Sequence, residues 1–82
     1  MSLNQATGVD AAVEAEIEEM FEYHSWTPHQ LERSANVRSA LITAVKEIVE
    51  NVPPGPDRTV AIRKIREARM DCNSAITFGG RY

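Results

Sequence analysis

The sequence predicts an all-α chain: a short N-terminal helix followed by a long antiparallel helical hairpin, assembling as a homo-oligomer. Three observations carry this. Apolar residues recur at three- and four-residue spacing through three segments, and no segment alternates as a strand does. Between the second and third segments, Pro53-Pro54-Gly55-Pro56 places three prolines and a glycine in four residues, a run that no helix continues through. A link this short returns two long helices antiparallel. Finally, the chain has 82 residues and one cysteine, Cys72. A chain of that size buries only about 60% of its unfolded surface. With no internal disulfide or metal motif to add stability, a two-helix hairpin needs partners to cover its faces.

Residues 1–9 read as a disordered leader, and 10–82 as one helical-hairpin domain. Helix one is expected over about 10–24, with Asp10 as N-cap, an apolar stripe at Val13, Ile17 and Met20/Phe21, and glutamates outside. Thr27-Pro28-x-Gln30 opens helix two: a favoured cap, proline at the first helical position, and glutamine placed to close a capping box. That helix runs over 28–51 with Leu31, Ala35, Leu41, Val45, Ile48 and Val52 as its stripe, interrupted by Arg38. Helix three is expected over about 57–76, with a small-residue stripe of Ala61, Ile65, Ala68, Cys72 and Ala75/Ile76, before a glycine-terminated tail.

The net charge of −3 hides an asymmetry. Residues 1–32 carry seven acids and no Lys or Arg, whereas 33–82 carry all nine bases and five acids. An acidic arm thus joins a basic body, which suits contact between the two, within or between subunits, and equally suits an anionic ligand. No apolar run approaches the roughly 20 residues of a membrane span, and the first residues lack a signal-peptide pattern. The expectation is a cytoplasmic protein with no membrane partner.

Four rings crowd the joint between helices one and two: Phe21, Tyr23, His24 and Trp26. Phe21 falls on the apolar stripe and is expected in the core, and Trp26 suits a hydrophobic staple. Tyr23 lies off the stripe, either free to stack on a planar group or part of a small satellite core. In DRTVAIRKIREAR, 57–69, Arg58 sits in the first helical turn, and Arg66 neighbours both Arg63 and Arg69 at three-residue spacing. These arginines either pair with Glu67, Asp71 or the acidic arm, or bind an anion such as phosphate. Arg38 on its apolar stripe either snorkels to the edge or meets a phosphate. His24 and His29 are five apart across a helix break, which fits no zinc spacing. Cys72 reads as a packing residue. No glycine-rich phosphate loop, paired acids or triad pattern appears, so the expectation is no enzyme, no metal and no cofactor.

Taken in order, the motifs form a longer pattern: F-x-Y-H at 21–24, an arginine fifteen residues after the tyrosine, V-P-P-x-P-D-R-T-x-A-x-x-K from Val52, and E-A-R-M-x-x-N-x-A-I from Glu67. This pattern, over about residues 17–77, resembles the helical-hairpin domain shared by phage anti-CBASS and anti-Thoeris sponges, with length and leading helix more similar to the anti-CBASS member. The resemblance implies a protein that is not an enzyme. It would bind cyclic oligonucleotide second messengers and hold them intact, so that the immune effector stays inactive. It implies a homo-hexamer with cyclic dinucleotides in pockets between subunits and cyclic trinucleotides in separate pockets. Tyr23 would stack on a base, with His24 facing the same ligand, and Arg38 would meet a phosphate where the family often has lysine. Arg58 and Thr59 match the family's turn motif and would contact a second ligand, with Arg66 a further candidate on the basic helix. Asp71-Cys72 departs from the bulky apolar residue that many relatives place after E-A-x-M.

Two other readings remain open from the sequence. One is a helical adaptor that binds a protein through its acidic helix and amphipathic hairpin. The other is a DNA-binding regulator, which the negative net charge and the lack of a helix-turn-helix pattern disfavour, so no duplex nucleic acid is expected as partner.

Overall fold

A computed structural model describes residues 8–81. Of the expected leader, residues 1–7 lie outside the described residues, and Gly8 and Val9 precede the first helix. The described chain is all-helical: α1 (Ala11–Phe21), α2 (Pro28–Asn51) and α3 (Pro56–Phe78), with α2 packed on α3 as a hairpin.

Local chemistry sets each boundary. Asp10 caps α1, its Oδ1 accepting from the Val13 N–H at 2.9 Å. The helix stops at Phe21 rather than at residue 24, because the backbone turns extended at Glu22 (φ −73°, ψ 149°). The Glu19 carbonyl, left without a helical partner there, accepts from His24 Nε2 at 2.7 Å. Tyr23 and His24 therefore sit on the joint, not on the helix.

α2 keeps the expected bounds. Thr27 Oγ1 accepts from the Gln30 N–H at 3.2 Å, while Gln30 Oε1 accepts from the Thr27 N–H at 2.9 Å, completing the capping box. α3 begins one residue earlier than expected and ends two later. Its stop is Gly79 in the left-handed region (φ 63°), and the Gly80 N–H closes back on the Ala75 carbonyl at 3.0 Å. Thr77, expected in the tail, is still helical, and its hydroxyl donates to the Asn73 carbonyl at 2.9 Å.

The hairpin seam differs from the expected stripes. The more buried positions of α2 are Gln30, Ser34, Val37, Leu41, Ala44/Val45 and Ile48, whereas Leu31, Ala35 and Arg38 lie about one residue round the helix and are exposed. On α3 the more buried positions include Ile62 and Asn73, and the expected Ala68 and Ala75 are exposed. Ser34 Oγ donates to Asn73 Oδ1 at 2.9 Å across the seam. Small polar side chains that satisfy each other allow close approach there, so the seam need not be continuously apolar.

The molecule buries little on its own. Val13 is the one fully buried apolar residue among the described residues. Phe21, expected in the core, is 85% exposed, because α1 ends on its turn and no other helix lies over that side. α1 is held instead at its end, by the Glu19–Arg81 ion pair and by the His24 ring edge-on to Phe78 at 5.1 Å. No helix among the described residues is long and apolar enough to cross a membrane.

Candidate functional site

The residues singled out in the sequence fall in three places. The first is the joint. Tyr23, His24 and Trp26 meet Leu31, Thr77 and Phe78 around an open cavity of about 530 Å³. Trp26 Nε1 donates to Thr77 Oγ1 at 2.7 Å, and Gln30 Nε2 donates to the Ile76 carbonyl at 3.2 Å. Those two bonds brace the start of α2 against the last turn of α3. His24 is held on both sides, by the Glu19 carbonyl and by Phe78. Tyr23 is different. It is 90% exposed beside this braced frame and so presents an uncovered aromatic surface. Trp26 thus acts through its polar N–H on the last turn of α3 as well as through its ring.

The second place is a groove along the hairpin of about 360 Å³, floored by Leu41, Ile42, Val45 and Ile65 and rimmed by Arg38, Lys46, Arg66 and Arg69. Arg38 and Arg66 were candidates on different helices, and the hairpin brings them to one cleft. The cleft continues past Arg66 and Arg69 to Met70 and Asn73. None of the four cations has an ion-pair or hydrogen-bond partner among the described residues. Of the two readings left open for the arginines of 57–69, pairing with Glu67 or Asp71 is not formed among the described residues. Arg69, named in the sequence beside Arg66 in the basic stretch, joins the rim, and Lys46 was missed as a site residue. Lys46 carried a signal, since it stands two helical steps of four from Arg38 and so shares its face.

The third place is the hairpin turn. Arg58 Nη1 donates to the Val52 carbonyl at 3.1 Å, and Thr59 Oγ1 donates to the Gly55 carbonyl at 3.2 Å. Both side chains close the Pro-rich link, and Arg58 retains further donors for an anion.

These places do not converge within one chain. α2 is 24 residues long, about 36 Å, with Tyr23 before its start and Arg58 beyond its end. Arg38 is the eleventh residue of α2, about 15 Å along the axis from its start. A ligand that meets both Tyr23 and Arg38 has to draw them from different copies, or span that distance. No group of three or more His, Cys, Asp or Glu among the described residues is placed to hold a metal ion. Compared with protein-family models, with curated proteins and with solved structures, the chain gives no match in any of the three.

Proposed function

We propose that the chain is a homo-oligomeric binding protein of phage origin that takes up cyclic oligonucleotide second messengers, cyclic dinucleotides and also cyclic trinucleotides, and holds them uncleaved. Withdrawing the messenger would block CBASS-type antiviral signalling in the cytoplasm of the infected cell. The observation that carries the reading is Tyr23: an aromatic ring left 90% exposed on a joint braced by Trp26 and Thr77. An uncovered ring suits stacking on a base, and a cyclic oligonucleotide supplies both bases and phosphates. The cationic rim at Arg38 and Arg66 supports the anionic half of that ligand, and the motif order from Phe21 to Ile76 supports its class.

Titration calorimetry with a cyclic dinucleotide tests it. Stacking on a side chain contributes about 1–3 kcal/mol per base, so Tyr23→Ala is expected to weaken binding roughly 5- to 150-fold. Arg38→Ala is expected to weaken it as well, and to flatten the salt dependence by removing a phosphate contact. Equal affinity in wild type and both variants overturns the assignment of these two residues.

A further inference from the structure

We infer that Glu22 selects the base taken at the joint: its carboxylate reads the Watson–Crick edge of guanine, so the cavity beside Tyr23 prefers guanine-bearing cyclic nucleotides to those of adenine or uracil. The inference rests on the nucleotide reading of that site and adds the identity of the base to it.

Glu22 closes α1 and belongs to the joint. Its backbone is extended, and its N–H turns back to the Glu18 carbonyl. Together with Tyr23 it lines the open cavity there. It is the one carboxylate among the described residues lining that cavity, and no lysine or arginine joins them. The guanidinium of the C-terminal tail is engaged elsewhere, since Arg81 pairs with Glu19. The Glu22 side chain has no partner among the described residues. A carboxylate repels phosphate. The cavity therefore suits the base, and the phosphates fall to cations outside it.

Several hydrogens of the frame are already used. Trp26 gives its N–H to Thr77, and Thr77 gives its hydroxyl hydrogen to the Asn73 carbonyl. His24 gives Nε2–H to the Glu19 carbonyl, which leaves Nδ1 of the neutral ring as an acceptor. The hydroxyls of Tyr23 and Ser74, also on the cavity wall, can give or accept. The groups fixed in role are thus acceptors, and Glu22 is the strongest of them, with two oxygens in a fork.

The bases differ in what they offer such a fork. Guanine presents N1–H and an N2–H side by side, one for each oxygen. Adenine presents an N6–H beside N1, an acceptor that the second oxygen repels. Uracil presents N3–H between two carbonyl oxygens, both of which the carboxylate repels. A base that leaves a carboxylate oxygen facing an acceptor loses affinity twice, through the missing bond and through the repulsion.

Titration calorimetry with cyclic di-GMP, di-IMP, di-AMP and di-UMP tests this. Cyclic di-IMP is cyclic di-GMP without the 2-amino groups. Wild type is expected to bind cyclic di-GMP about 5- to 150-fold more tightly than cyclic di-AMP or di-UMP, the range that one bidentate base contact gives, with cyclic di-IMP in between. Glu22→Gln exchanges one acceptor for a donor, the pattern that matches N1 and N6 of adenine. It is expected to bring cyclic di-AMP level with cyclic di-GMP or above it. Glu22→Ala is expected to erase the difference between cyclic di-GMP and di-IMP. Glu22 is exposed and its side chain holds nothing among the described residues, so circular dichroism should show unchanged helix content in both variants. Equal wild-type affinity for all four ligands, or a preference that neither variant changes, overturns the role of Glu22 and leaves the nucleotide reading standing. A wild type that binds none of the four overturns both.

Discussion

Trp26 donates its one polar hydrogen to Thr77, 51 residues further along the chain, at 2.7 Å. The same hydroxyl donates onward to the Asn73 carbonyl, so one indole N–H holds the start of α2 to the last turn of α3. Trp26→Phe keeps a ring but removes that donor. It is expected to lower unfolding stability by about 1 kcal/mol, the usual net value of such a bond, as read by urea denaturation. Tyr23→Ala in the same experiment is expected to stay within about 0.5 kcal/mol of wild type, because the ring covers nothing. A large loss at Tyr23 would make it a structural ring and remove the basis of the stacking assignment. The contrast also marks what the sequence can say about single residues. Tyr23 stood out because it falls off a helical stripe. The Trp26–Thr77 bond did not, because two residues so far apart share no local pattern. Phe21 misled, since periodicity places a residue on a face without saying whether anything covers it.

Helix boundaries were legible wherever a cap made them. Asp10, Thr27 with Gln30, and Gly79 each satisfy backbone groups within a few residues, so their effect is written in adjacent positions. The end of α1 was not legible, because His24 folding back on the Glu19 carbonyl is a tertiary choice of the joint. Nor was the seam of the hairpin, where Gln30 and Ser34 take the inward places that a hydrophobic count assigns to Leu31 and Ala35, and Ser34 bonds Asn73 across it. The C-terminal stop of α3 gives an element-scale test. Gly79 has φ 63°, and a Cβ there meets nothing within 4 Å, so Gly79→Ala isolates the backbone cost of the left-handed region. About 1 kcal/mol of destabilisation is expected, seen as a lower melting temperature. Gly55→Ala serves as control. Its φ of 164° is extended backbone with open space around it, and no loss is expected. Equal losses at both positions would show that the αL cap is not what ends α3.

At the scale of the whole molecule, the chain is elongated, 50 × 32 × 17 Å, with one fully buried apolar residue among those described and large apolar side chains left in solvent. A soluble monomer of this size rarely exposes so much for no purpose. Self-association is the economical way to cover Phe21, Leu31 and Met70. It also offers a way to bring together Tyr23, which precedes α2, and Arg38, which lies about 15 Å along α2 from its start. The candidate residues were readable from the sequence as types in a pattern; their separation into a joint, a groove and a turn needed the fold.

The measurement that bears most directly on the central claim is native mass spectrometry of the chain, alone and with cyclic di- and trinucleotides, followed by heat release and identification of what was bound. An oligomer that takes up cyclic ligand at simple fractions of its subunit count, and returns it uncleaved, is the expected result. Release of a linear hydrolysis product would make the protein a nuclease, and an oligomer that ignores every cyclic nucleotide offered would contradict the sponge function outright.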